Sequence, residues 1–356
     1  MKKIAVRCRG PAPSYEVLIG DGLLPQLGEL CARQSLGKRC AILTDANVAP
    51  LFGQAAVASL QGAGFGTTML TVPVGEESKS MSQVEALCEQ LSAADLDRSS
   101  FLVSLGGGVV GDLAGFVAAI FLRGIPYVSV PTTLLAQIDS CIGGKTGVNS
   151  GAGKNLIGTF HHPALVLADS GTLRTLPERI WNEGLAEAIK HGIIRDRKLF
   201  DAVATLDREN PADFVARNMA IKAAIVEEDE REEKNLRALL NFGHTIGHAA
   251  EYAAGYGRLL HGEALSLGIV AAARISVQRA GLSSGECVRI VATLKAHELP
   301  TVLPADISRE KILESVERDK KFKDSRVRFV VAHGIGRASV SNEVTMGDLR
   351  TAVAEL

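Results

Sequence analysis

Three histidines, His244, His248 and His261, fall within eighteen residues of sequence. The first two stand four apart, so on a helix they share a face. Three nitrogen or oxygen donors with one position left open would suit a catalytic zinc; a polar network between helices is the other use for such a group. The glutamate of a His-Glu-x-x-His protease helix is missing, because position 245 is Thr245. Glu187 and Lys190 lie one turn apart within residues 184–191. The spacing predicts a helix over 236–254, and on it Arg237, Asn241 and His248 share the face of His244. An arginine there suits a carboxylate or phosphate gripped bidentately. A buried face with Arg, Asn and two His needs partners to offset its desolvation. A metal with a polyhydroxylated anionic substrate would supply them.

A second group of residues is built for anions. The strand-like run 101–105 leads into Gly106-Gly107-Gly108-Val109-Val110-Gly111-Asp112, a G-x-G-x-x-G pattern ahead of a helix. Glycines let backbone approach a ligand, and helix N-terminal amides favour negative charge. Three in a row are conformationally costly unless required, which favours a pyrophosphate site over a mere tight turn. The acidic residue some twenty positions on is absent, so this is not an ordinary Rossmann fingerprint. Thr132 and Thr133 end another strand, and Lys145 and Lys154 sit in glycine-rich loops suited to oxyanions. Gly144-Lys145-Thr146 is not a P-loop end, since position 139 is Asp139 where a glycine is needed.

The elements that must position these groups follow from periodicity. Strands are expected at 15–19, 40–44, 67–72, 101–105, 127–130 and 165–167, with helices at 51–62, 82–94 and 112–120. Strand–helix alternation favours parallel pairing. After residue 169 helical spacing dominates: 178–194, 211–233, 236–254, 263–280, 285–297 and 308–319, with a late strand at 326–332. The expectation is an α/β N-terminal open sheet of Rossmann-like type over 1–170 and a mainly α-helical C-terminal domain over 171–356. The charge run 229–234 reads as a solvated helical turn.

Composition excludes other classes. The 356 residues allow about two domains. With 46% hydrophobic and 22% charged residues the chain is globular, not disordered. Lys+Arg number 39 against Asp+Glu 40, so no overall basic field draws nucleic acid. Aromatics at 4% argue against stacking platforms for sugars or single strands. No run of 18 apolar residues predicts a membrane span, and Met1 to Arg9 lack a signal peptide's apolar core. Six sparse cysteines without a Cys-x-x-Cys pair read as reduced thiols in a cytoplasmic protein.

The collinear set of residues 106–112, Arg123-Gly124, 131–133, 139–147, 153–158, 184–192, 241–248, 261–263 and 319–321 closely resembles the 3-dehydroquinate synthase family of sugar phosphate cyclases. The fold is shared more loosely with glycerol-dehydrogenase-like and iron-dependent alcohol dehydrogenases. The resemblance implies conversion of 3-deoxy-D-arabino-heptulosonate 7-phosphate to 3-dehydroquinate and phosphate, a shikimate-pathway step. It implies NAD+, regenerated each turnover, and a divalent metal, zinc or cobalt.

Carried onto this chain, the resemblance implies Glu187, His244 and His261 as metal ligands, with His248 in the site but not a ligand. It implies nucleotide contacts at Asp45, Asn47, Glu76, Lys79, Gly107, Gly108, Val109, Asp112, Thr132, Thr133, Asp139, Ser140, Lys145, Lys154, Thr172, Leu173, Arg174 and Thr175. Substrate contacts are implied at Arg123, Asp139, Lys145, Asn155, Lys190, Lys222, Arg237, Asn241, His248 and one of Lys320 and Lys321. Of these, Lys145, Lys190, Lys222, Arg237, Asn241 and His248 are the implied catalytic residues. Arg123 matches a residue that reaches a neighbouring subunit, which implies a homodimer. The chain departs from many relatives at Val74, where they carry aspartate, and around 229–236, which holds one extra residue. Two enzyme alternatives are another sugar phosphate cyclase, such as 2-deoxy-scyllo-inosose synthase or a sedoheptulose 7-phosphate cyclase, and a metal-dependent alcohol dehydrogenase. A non-catalytic NAD-binding protein is the third.

Overall fold

A computed structural model describes residues 1–7, 14–151, 153–230, 232, 236–255, 257–318, 322–323 and 326–356. Lys320 and Lys321 lie outside the described residues, as do Cys8 and part of the charge run at 229–234. The chain divides into two compact units, Met1–Leu176 with Asp207–Arg231 and Pro177–Leu206 with Glu232–Leu356.

The first unit holds the strands β1 (Lys2–Val6), β2 (Tyr15–Gly20), β3 (Arg39–Asp45), β4 (Gly66–Val72), β5 (Phe101–Gly106), β6 (Tyr127–Pro131), β7 (Lys145–Ser150), β8 (Gly153–Phe160) and β9 (Leu165–Asp169). Its first four helices are α1 (Leu27–Ala32), α2 (Gln54–Gly62), α3 (Met81–Ala93) and α4 (Gly108–Ile120). Seven strands form one sheet in the order β1-β2-β9-β6-β5-β3-β4, parallel throughout except for β1 against β2. Strands buried on both faces are apolar at nearly every position, and β5 is apolar but for the buried Ser104. Leu102 of β5 and Ala41 and Leu43 of β3 pack with Val84, Leu87 and Leu113 of α3 and α4. Phe101, Val103 and Leu105 turn the other way, onto Leu27, Leu30 and Leu60 of α1 and α2. This alternation is the period of two that a strand imposes.

The chain runs from β3 outward to β4 and then returns to lay β5 on the other side of β3. Such a reversal opens a crevice at the carboxyl ends of the strands. Asp45 and Gly106 end the two strands there. Beyond β6, β7 and β8 form a separate antiparallel hairpin.

In the second unit α5 (Glu178–Arg195) and α6 (Arg197–Val203) come first. The chain then returns to the first unit with α7 (Ala212–Glu228), which packs near β1 and β2 and buries Phe214, Val215 and Met219. A single division near residue 170 therefore does not separate the units, because the apolar face of α7 is satisfied by the N-terminal sheet.

The second unit resumes with α8 (His244–Ala254), α9 (His261–Arg279), α10 (Ser284–Ala296) and α11 (Arg309–Arg318). A three-stranded antiparallel sheet of β10 (Phe322–Lys323), β11 (Arg326–Gly334) and β12 (Arg337–Thr345) precedes α12 (Met346–Ala354). α8 and α5 both pack on α9. No helix among the described residues is long and apolar enough to cross a membrane.

Candidate active site

The three residues read as metal ligands come together within the second unit. Glu187 lies on the buried face of α5, and His244 and His261 are the first residues of α8 and α9. The Glu187 Oε1 faces His261 Nε2 at 3.2 Å and His244 Nε2 at 3.4 Å. One ligand atom from each of the three lies within 4.8 Å of the others. His248 stands beside them, its ring centroid 5.2 Å from that of His244 and 5.8 Å from that of His261.

The close approach of α8 to α9 is made by missing side chains. Gly243 has φ +81°, and a Cβ on it would meet the Ile269 nitrogen at 2.8 Å. A Cβ on Gly268 would lie 1.9 Å from the Gly243 carbonyl oxygen. Gly243 also breaks the helix expected over 236–254. Arg237–Asn241 is a 3-10 turn, Phe242 is extended at ψ 122°, and α8 begins only at His244. Arg237 and Asn241 are therefore not on a helical face with His244. Arg237 is buried, whereas Asn241 and His248 are exposed, so the expected wholly buried polar face does not form.

The charges around Glu187 are mutually supporting. Burial acts to raise its carboxyl, but the Lys190 ammonium one turn away and hydrogen bonds from both histidines hold it well below the usual range. Burial also acts against charge on His261, yet the Glu187 and Glu251 carboxylates outweigh it and push it up to about 10. Burial dominates at His244 and pushes it down. Glu251, 4.0 Å from His261 Nδ1, went unremarked in the sequence. It lies seven residues after His244, on the same helical face, and that spacing was the available signal.

Residues of the first unit read from the sequence as anion-binding gather at the carboxyl ends of β5 and β6. Gly107 precedes α4, whose free amides point out of its first turn. A Cβ on Gly107 would meet Thr133 Cγ2 at 3.1 Å, and one on Gly108 would meet Ser140 Oγ at 3.3 Å. The Thr132 amide bonds the Gly106 carbonyl at 2.9 Å. Val109 and Asp112 lie in the opening turns of α4. Asp112 accepts from Lys79 at 2.7 Å, and Lys79 also holds the Asn155 side chain and stands 3.6 Å from Glu76. Lys222 donates to the Asp139 carbonyl at 2.6 Å and pairs with its carboxylate at 2.9 Å. Lys145 opens β7 and is exposed, and Lys154 and Asn155 lie on β8.

Other implied contacts have local duties. Asp45 accepts from the amides of Asn47 and Val48, closing a turn after β3. Thr172 donates to the Asp169 carbonyl at the end of β9 and Thr175 to the Thr172 carbonyl, and Leu173 is fully buried, so its side chain faces the core. Arg174 forks onto Asp21. Arg123 is exposed and, with Leu122, has positive φ (73° and 51°).

Comparison with solved structures defines the class. The fold matches a 2-deoxy-scyllo-inosose synthase complexed with carbaglucose-6-phosphate, NAD+ and Co2+ (TM-score 0.89, 26% identity, all of both chains). It also matches the 2-epi-5-epi-valiolone synthase of Streptomyces hygroscopicus subsp. jinggangensis 5008 with NAD+ and Zn2+ bound (TM-score 0.88, 30% identity, 98% of both chains). These are sugar phosphate cyclase folds. Profiles of the 3-dehydroquinate synthase N-terminal and C-terminal regions match residues 69–183 and 184–322. A 3-dehydroquinate synthase from Symbiobacterium thermophilum is 48% identical over 350 residues, covering 94% of this chain and 96% of the relative. The chain belongs to the 3-dehydroquinate synthase family.

Proposed function

We propose that this chain converts 3-deoxy-D-arabino-heptulosonate 7-phosphate to 3-dehydroquinate and phosphate, using NAD+ and one divalent cation, zinc or cobalt. The observation that carries the reading is the convergence of Glu187, His244 and His261 from three separate helices in a chain with family-wide similarity. A carboxylate oxygen and two imidazole nitrogens are a donor set that such cations accept. The side-chain-free Gly107 and Gly108 at the start of α4 suit a pyrophosphate. When bound, NAD+ supplies reversible removal of a hydride from a substrate carbinol, and the cation acidifies the hydroxyl concerned.

The chain's own residues then orient the substrate and carry its charge. In the first unit Lys145, Lys222 and Asn155 are proposed to hold its anionic ends and hydroxyls. Asp139 fixes the Lys222 ammonium. In the second unit Lys190 and Arg237 stabilise oxyanions that develop after oxidation, and Asn241 and His248 present exposed hydrogen-bonding groups to hydroxyls. Holding one conformer through elimination, reduction and ring closure is itself a large part of such catalysis. The first unit is proposed as the nucleotide-binding domain and the second as the metal-binding one. Arg123 is proposed to act in a homodimer. The apolar Leu156, Ile157 and Phe160, exposed along β8, favour a covering partner.

The test is phosphate release from 3-deoxy-D-arabino-heptulosonate 7-phosphate, glucose 6-phosphate and sedoheptulose 7-phosphate, with reduced cofactor followed in the same cuvette. Release from the first alone, abolished by chelator and without accumulating NADH, is expected. Release from another sugar phosphate makes this a different cyclase. NADH formed in proportion to product makes it a dehydrogenase. Light scattering at twice the chain mass checks the dimer.

A further inference from the structure

Within the first unit, the residues proposed for nucleotide and those proposed for substrate form one hydrogen-bonded network, and its centre is a residue without a role so far. Asn149, on β7, makes three bonds to two segments, Glu76–Lys79 and β8. Its amide N–H donates to the Lys79 carbonyl at 2.8 Å. Its side-chain Nδ2 donates to Glu76 Oε1 at 2.9 Å. Its Oδ1 accepts the Asn155 amide N–H at 2.9 Å.

Two features make these bonds consequential. Asn155 has φ +55°, a left-handed backbone that asparagine tolerates better than most non-glycine residues and that local bonds select. The bond to Asn149 Oδ1 and the grip of the Lys79 ammonium on its side chain are what the described structure offers for that. Glu76, for its part, is in reach of Lys79 at 3.6 Å and Lys154 at 3.9 Å, and the donated amide of Asn149 fixes which oxygen they meet. A change at Glu76 therefore reaches the Asn155 backbone through the Asn149 side chain, whereas Lys79 also touches the Asn155 side chain directly.

We propose that Asn149 is a positioning residue that couples the nucleotide segment Glu76–Lys79 to the placement of Asn155, and so makes substrate binding depend on a correctly seated NAD+. The proposal rests on the functional reading above. It assigns separate duties to the two ends of one amide, and those duties can be separated. Asn149→Asp keeps an oxygen towards the Asn155 N–H and sets a carboxylate against Glu76. Asn149→Ala removes both bonds.

The experiment compares wild type, Asn149→Ala, Asn149→Asp, Asn155→Ala and the Asn149→Ala/Asn155→Ala double variant as metal-loaded enzymes. It reads NAD+ affinity by titration and KM for the heptulosonate phosphate by phosphate release. One hydrogen bond in such a network carries a few-fold to about a tenfold effect. Asn149→Ala is expected to weaken NAD+ binding and to raise substrate KM by about that factor. Asn149→Asp is expected to weaken NAD+ binding while leaving substrate KM within about threefold of wild type. The double variant is expected to match Asn155→Ala in KM, since both substitutions break one path. Multiplying effects in the double variant, or equal shifts of both constants in Asn149→Asp, overturn the proposal. If Asn149→Ala does not fold, Asn149→Asp alone decides. A wild type that releases no phosphate overturns the functional reading and this proposal with it; an active wild type with multiplying variants overturns this proposal alone.

Discussion

His244 and His261 each open a helix, and their ring centroids stand 5.5 Å apart. The start of a helix is a poor place for an imidazolium, because the exposed amides there carry partial positive charge. A cation, proposed above to be held by Glu187 and both imidazoles, would take the place of the protons that the carboxylate otherwise draws to them. His261→Ala or Glu187→Gln should therefore empty the metal site and lower phosphate release by on the order of a thousandfold. Metal content by mass spectrometry and far-ultraviolet circular dichroism check it; a metal-replete, active His261→Ala protein would end the ligand assignment. Glu251→Gln should lower metal affinity by about 10- to 100-fold, because Glu251 orients His261 without touching the ion.

Lys145 is exposed at the start of β7, so its charge contributes little to folding. Lys145→Ala is expected to leave the melting temperature unchanged and to lower kcat/KM by about 10²- to 10³-fold. Unchanged kinetics would remove Lys145 from the substrate set.

Gly243→Ala tests the close crossing of α8 and α9. The left-handed backbone alone costs about 1–2 kcal/mol for an alanine, and the new methyl meets backbone at 2.8 Å besides. A fall in unfolding free energy of at least that size is expected from urea titration, together with lower metal occupancy, since His244 follows directly. A neutral substitution would mean that the crossing adjusts easily.

Asp348 predicts an acid-sensitive C-terminus. Burial acts to raise its carboxyl, but the Arg279 guanidinium and the Thr345 amide and hydroxyl at the start of α12 hold it below its ordinary 3.8. A depressed carboxyl stabilises the fold above its unfolded pKa, and that stability is lost as pH falls through the folded value. Asp348→Asn should therefore melt lower than wild type at pH 7, with the gap closing below about pH 4. A gap independent of pH would show that the charge is irrelevant.

The central strands were legible because burial on both faces leaves nearly continuous apolar runs, as in 101–105, where only Ser104 is polar. β1 was not: its Lys2-Lys3 start marks a half-exposed edge strand without that pattern. The β7–β8 hairpin escaped because Gly, Asn, Ser and Lys dominate it, and its apolar Leu156, Ile157 and Phe160 face outward. The helix read across 236–254 failed at Gly243, where tertiary crowding by Ile269 sets the backbone. Similarity to a family brought Glu187 to the histidines, which no local spacing links. Asn149 was invisible for a plainer reason: a single asparagine has no periodicity, and its three partners are separated from it by 6, 70 and 73 residues.

The return of residues 207–231 to the first unit bears on how the molecule is made. α7, with its buried Phe214, Val215 and Met219, packs beside β1 and β2, yet it is synthesised after two helices that belong elsewhere. A ribosome that has released only the first 176 residues has therefore delivered a sheet with one apolar flank still bare. Expressed alone, that fragment should clump, and appending residues 207–231 through a short linker should rescue its solubility.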